Sequence, residues 1–199
     1  MDTAAMSLFF ALLALAALAG GALSVAVAVS SRGALARVGA DLGPNALWAA
    51  WLVAAVSTAG SLYYSEVAHF VPCRLCWYQR IAMYPLALVL ALAALRRDRG
   101  VAPYGIALAA AGLAVSTYHY QLELFPNQSH AACSLDADCS VRLVEEFGFV
   151  SIPFMAGCGF LAVLGLLLAS ARRPAPAPPA APPLPLEVTR RDQREPAAR

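Results

Sequence analysis

The chain has 199 residues, of which 60% are hydrophobic and only 13% charged, with a formal net charge of +2. A soluble domain of this length must clothe its surface in charge, so the mix excludes one. The few basic residues are all arginines in short runs, which excludes the continuous basic face that nucleic-acid binding needs.

Apolar runs long enough to cross the ~30 Å of a lipid bilayer recur along the chain, at 6–29, 46–64, 78–95, 104–122 and 152–171. They lack the alternating polar positions of barrel strands, so an all-α membrane protein is expected. The organisation read from them is an extra N-terminal transmembrane helix at 6–29, a four-helix transmembrane bundle at 46–171 and a tail at 172–199. The first run has no basic flank before it, and it exceeds the about 7–15 apolar residues of a secretory signal, so a retained helix is expected. The tail opens on a Pro/Ala tract without apolar periodicity and is expected to be disordered and cytoplasmic.

Arginine sets the orientation. Arg32 and Arg37 follow the first run, Arg96, Arg97 and Arg99 the third, and Arg172 and Arg173 the fifth. By the positive-inside rule those three segments are cytoplasmic. The loops 65–77 and 123–151 then face outward, and the second is rich in Asp and Glu. Both cysteine pairs, Cys73 with Cys76 and Cys133 with Cys139, fall in these two outward loops.

Pro72 imposes an extended approach to Cys73, and the third helix begins directly afterwards. Cys76 therefore falls in the first helical turn, where free N–H groups and the positive end of the helix dipole stabilise a thiolate. Arg74 and Arg80 add positive charge, and together these conditions favour thiol–disulfide exchange. A static disulfide or half of a zinc site would also use a CxxC pair. Cys133 and Cys139, with five residues between them, make a poor second half, so no metal is expected. Trp77 stands where a haem attachment would need His. Cys158, between Gly157 and Gly159, reads as a small apolar residue where helices approach closely.

The run Cys-Arg-Leu-Cys-Trp-Tyr-Gln-Arg-Ile-Ala-Met-Tyr-Pro, from Cys73 to Pro85, resembles the disulfide bond formation protein B (DsbB) family, especially its short-looped BdbC-like branch. Later landmarks follow the family order: Tyr118-His119-Tyr120, Phe125-Pro126, the second cysteine pair, then Ile152-Pro153-Phe154. The resemblance extends over about 46–169. It implies a four-helix bundle in the bacterial inner membrane that reoxidises an exported, DsbA-like thioredoxin-fold oxidase and passes the electrons to a membrane quinone, ubiquinone or menaquinone. It also implies roles. Cys133 takes the mixed disulfide with the partner, Cys139 exchanges with Cys73, and Cys76 faces the quinone. Arg80 and His119 match family residues near the quinone, and Gln79 beside Arg80 either donates to the quinone or bonds a neighbouring helix. The first helix, the short Cys133–Cys139 spacing and the Pro-rich tail depart from the family pattern.

Two other readings fit parts of the chain. A vitamin K epoxide reductase-like enzyme also combines four helices, two cysteine pairs and a quinone, but places CxxC after the second pair. A non-catalytic membrane protein would use the same cysteines as structural disulfides, which resist mild reductants.

Overall fold

The computed structural model describes residues 3–29, 45–126 and 139–171, and within them the chain is all-α. Among the described residues, five helices are long and apolar enough to cross a membrane. They are α1 (Thr3–Val29), α2 (Ala46–Leu62), α3 (Arg74–Arg96), α4 (Ala102–Leu124) and α5 (Ile152–Ala171). With no water in the hydrocarbon, such segments satisfy their backbone only by closing it on itself as helix. The first helix begins three residues before the apolar run at 6–29. Arg32, Arg37, Cys133 and the whole of 172–199 lie outside the described residues.

The core lies where α2, α3, α4 and α5 meet. Leu86 and Leu90 of α3 pack with Phe160, Val163 and Leu167 of α5, against Ala50 and Ala54 of α2 and Ala109 of α4. Lipid tails are as apolar as leucine, so association rests on close packing rather than on burial from water. Gly112 of α4 shows how close it is: a Cβ there would overlap the Phe160 ring. Pro85 sits inside α3, where it cannot donate to the preceding turn.

Helix α1 is the fifth member of this bundle, packed chiefly on α5. A Cβ on Gly21 would come within 2.8 Å of Ala162 Cα, and one on Gly165 within 2.7 Å of the Gly21 carbonyl oxygen. Backbone therefore meets backbone, the contact that small residues permit in membrane helices. Near its start, α1 also engages α2. Tyr64 donates to Ser7 Oγ at 3.3 Å, and Phe10 packs beside Tyr63 and Tyr64.

The ends of the helices set the site. A π-helical turn, Tyr63–Val67, closes α2. It is followed by the segment that leads to Cys73, the N-cap of α3. At the other end of α3, Arg97 adopts a left-handed conformation (φ 54°) and returns its N–H to Ala93 and Ala94, allowing a short link into α4. Arg96, Arg97 and Arg99 thus lie at the end of the bundle opposite Cys73. Cys139 packs into one buried cluster with Cys73, so the described members of the two cysteine pairs share an end.

Candidate active site

Cys73 is extended (φ −71°, ψ 172°) immediately before α3, the usual backbone of a helix N-cap. Its sulfur accepts the Cys76 backbone N–H at 3.4 Å, so the thiol serves as the helix cap. One turn along, the Cys76 sulfur lies 3.2 Å from Cys73 Sγ. The Cys73 thiol is the donor of that pair. Donation to Cys76, then burial, push it up to about 12, against a smaller opposing pull from His119. In the dithiol form Cys73 thus holds its proton against the Cys76 sulfur.

On one side of this pair stands α4. His119 Nε2 lies 3.6 Å from Cys73 Sγ, and its Nδ1 lies 3.5 Å from Gln79 Nε2. The Gln79 amide also donates to Ser116 Oγ at 3.1 Å. Gln79, Ser116 and His119 are all buried. With Gln79 donating to Nδ1, Nε2 carries the ring proton and turns it toward the Cys73 sulfur. His119, which the resemblance sets near a quinone, lies against Cys73. Gln79 joins α3 to α4, the helix-bonding option of the two its sequence position left open.

Arg80 faces the other way. Its Nε donates to Ser61 Oγ at 3.0 Å and its Nη2 to the Ser61 carbonyl at 3.1 Å. Tyr84, one turn further along α3, donates to the same hydroxyl at 3.2 Å. The guanidinium also lies over the Trp77 ring, 5.2 Å from its centroid, a cation–π arrangement. Arg80 is therefore braced across the α2–α3 seam, where a merely snorkelling arginine would reach for the interface.

Cys76, Gln79 and Arg80 form the polar end of a cavity of about 560 Å³ whose remaining walls are mostly apolar. This volume is in the range of small-molecule sites. A second, smaller cavity of about 330 Å³ touches Cys73, Cys76, His119, Glu123 and His69. The cysteine pair thus lies between two spaces, with Arg80 on one and His119 on the other.

Cys139 is fully buried and packs with Cys73, Leu75 and Leu122. Cys133 lies outside the described residues. The donor atoms of Cys73, Cys76 and His119 lie within 4.8 Å of one another. A closed tetrahedral site needs a fourth ligand, whereas exchange between sulfurs needs only their approach. Cys158 is buried in α5, away from these groups.

Several residues of the site were not singled out from the sequence. Ser61 and Tyr84 position Arg80, and only the four-residue step from Arg80 to Tyr84 hinted at a shared helix face. Glu123, one turn beyond His119, is buried, and its Oε2 has no hydrogen-bond partner among the described residues. Its charge and its place at the end of an apolar run suited an outward loop, whereas the helix continues through it.

Comparison with known proteins places this geometry in context. The family model for disulfide bond formation protein DsbB matches residues 44–171. A probable disulfide formation protein of Oceanobacillus iheyensis is 48% identical over 127 residues, which cover 62% of this chain and 87% of that protein. Disulfide bond formation protein C of Bacillus subtilis is 41% identical over 119 residues, 59% of this chain and 86% of that protein. Probable disulfide formation protein C 1 of Bacillus cereus is 42% identical over 120 residues, with coverage of 59% and 86%. No solved structure matches the chain.

Proposed function

The chain belongs to the DsbB family, as a multi-pass membrane protein of disulfide bond formation, and from that premise we propose that it reoxidises an exported, DsbA-like thioredoxin-fold oxidase and delivers the electrons to a membrane quinone. The observation that carries the reading is the position of Cys76. It stands at the polar end of the large cavity together with Arg80, while its partner Cys73 packs with Cys139. One cysteine faces a small-molecule space and the other faces the second pair.

The cysteines supply the electron path, beginning with disulfides at Cys133–Cys139 and Cys73–Cys76. A partner thiolate attacks Cys133 Sγ, the Cys133–Cys139 bond breaks, and Cys139 leaves as a thiolate. Cys139 then attacks Cys73 Sγ, and the electron pair of the Cys73–Cys76 bond goes to Cys76. The second partner thiolate closes the partner's own disulfide and releases Cys133. Cys133 in turn attacks Cys139 and frees Cys73. The partner leaves oxidised, and Cys73 and Cys76 hold the two electrons.

The residues of the large cavity fit a quinone. Its walls are mostly apolar, and its polar end carries the Arg80 cation with N–H donors of the kind that would hold a ring carbonyl. The quinone, when bound, supplies an acceptor for two electrons and two protons, which lets the Cys73–Cys76 bond form again. Such an acceptor is required because a DsbA-like partner, at about −120 mV, is itself a strong oxidant. Ser61 holds the Arg80 guanidinium ready, so charge developing on a bound oxygen meets a preorganised cation. His119, backed by Gln79, turns its Nε2–H to the Cys73 sulfur, where a hydrogen bond stabilises the negative charge that develops there during exchange.

The arginines support an orientation with the cysteine end outside the cytoplasmic membrane: Arg96, Arg97 and Arg99 cluster at the opposite end. The test is quinone reduction by the purified protein supplied with a reduced DsbA-type oxidase, alongside Cys76→Ser. Turnover that needs the partner and disappears in the variant is expected. Cysteine bridges that resist mild reductant, with no quinone reduced, would sink the reading.

A further inference from the structure

Helix α1 precedes the region matched by the family model, residues 44–171, yet it is built into the wall of the cavity that holds Cys76 and Arg80. Phe10, Leu13, Gly20 and Ser24 all line that cavity. From Phe10 to Ser24 the helix rises about 21 Å, at roughly 1.5 Å per residue. Phe10 packs beside Tyr64, at the cysteine end of α2. Gly21 locks against Ala162, midway along α5. The cavity therefore begins at the redox motif and continues down α1 into the apolar depth of the bundle.

A quinone ring needs only the polar end beside Cys76 and Arg80. The remainder is a long, apolar wall, and it is held in place. The Gly21–Gly165 contact fixes α1 on α5, and the Tyr64–Ser7 hydrogen bond fixes it on α2. A lipid-facing helix added only as an anchor would not need this double attachment, nor line the redox cavity.

We propose that α1 forms the wall of a tail channel, along which the polyisoprenoid chain of a membrane quinone lies while its ring sits at Cys76 and Arg80. This rests on the quinone-linked reading given above. It assigns to α1 the selection of acceptors by tail, with the chemistry left to the other four helices.

Gly20 offers a clean test. It lines the cavity, and a Cβ built on it meets nothing within 4 Å. Gly20→Leu therefore adds a side chain at the channel wall without forcing the backbone. The full-length protein is purified as wild type, Gly20→Ala and Gly20→Leu. Each is supplied with reduced DsbA-type oxidase and two quinones of one headgroup, one with a long isoprenoid chain and one without a tail. The ratio of the long-chain KM to the tailless KM is expected to rise about tenfold in Gly20→Leu, the scale of a lost apolar fit, and less in Gly20→Ala.

An unchanged ratio with turnover intact overturns the channel and leaves the quinone-linked reading standing. So does an equal rise for both quinones, which marks a general disturbance of packing. A mature protein found to lack residues 3–29 overturns the channel as well. Wild-type protein that reduces neither quinone removes the reading beneath the inference, and the inference with it.

Discussion

His119 of α4 and Cys73 at the head of α3 meet across a buried seam, with His119 Nε2 3.6 Å from Cys73 Sγ. The contact is on the opposite side of the cysteine pair from Arg80. Two residues that the family resemblance groups together near a quinone thus lie on opposite sides of the thiols. Their variants should accordingly fail in different ways. His119→Ala removes the N–H held against the Cys73 sulfur. A hydrogen bond to a charged group is worth about 1.5–3 kcal/mol, so kcat is expected to fall at least about tenfold, with little change in quinone KM. Arg80→Lys keeps the charge but loses the fork held by Ser61, and is expected to raise quinone KM. Steady-state kinetics at varied quinone concentration separates the two, and a KM rise in His119→Ala equal to that in Arg80→Lys would return His119 to the quinone side.

The Cys73 thiol gives a prediction in pH. Donation to Cys76 and burial push it up to about 12, so in the reduced protein it stays protonated through neutral pH and ionises only as the medium becomes strongly alkaline. At pH 8 its thiolate fraction is on the order of one in ten thousand, against roughly one in four for an ordinary thiol near 8.5. Alkylation of the reduced protein with iodoacetamide, followed by mass spectrometry of the Cys73 peptide, should show a rate still climbing above pH 10. The slope is the decisive readout, because restricted access of the reagent slows the reaction equally at every pH. A plateau reached by pH 9 would show that Cys73 does not donate to Cys76.

Ser61 accepts from both Arg80 and Tyr84 and anchors the Arg80 guanidinium a second time through its carbonyl. Ser61→Ala removes the hydroxyl and leaves the carbonyl. Losing a hydrogen bond to a charged group costs about 1.5–3 kcal/mol at most. The surviving contact points to the lower part of that range, roughly a tenfold rise in quinone KM with the fold intact. The double variant Ser61→Ala/Arg80→Lys should then cost less than the sum of the two single changes, because both act through one guanidinium. Strict additivity would mean that Ser61 does not act by bracing Arg80.

Much of this was legible in the residues, for identifiable reasons. Apolar runs report spans directly because the bilayer imposes their length, and all five appear as helices. Pro72 marked the approach to the helix, since it fixes its own φ and biases Val71 to extended backbone, and Cys73 follows as the cap. The direction of Arg80 was hidden, because its partner Ser61 is 19 residues earlier on another helix. Glu123 was hidden for a different reason: a charge at the end of an apolar run marks a boundary by composition, yet α4 carries it inside. The role of α1 was the least accessible. Its residues are almost all apolar, so nothing in their pattern distinguishes a face turned to lipid from one turned to a cavity.

Helix packing supplies a prediction independent of chemistry. Gly112 of α4 and Gly157 of α5 look equivalent in sequence, each a glycine in an apolar helix, but their surroundings differ. A Cβ on Gly112 would overlap the Phe160 ring, a fully buried side chain in the core, whereas one on Gly157 would meet Ser116 Cβ at an ordinary 3.5 Å. Overpacking of this kind costs about 1–3 kcal/mol, so Gly112→Ala should lower Tm in detergent by several degrees. Gly157→Ala should leave Tm unchanged or raise it slightly, since alanine is the better helix former. Adding Phe160→Leu to Gly112→Ala tests the cause, because a smaller side chain opposite the new methyl should restore part of the loss. If both glycine variants melt alike, the α4–α5 seam is looser than the Phe160 contact requires, and the close approach that brings His119 to Cys73 must be held elsewhere along α4.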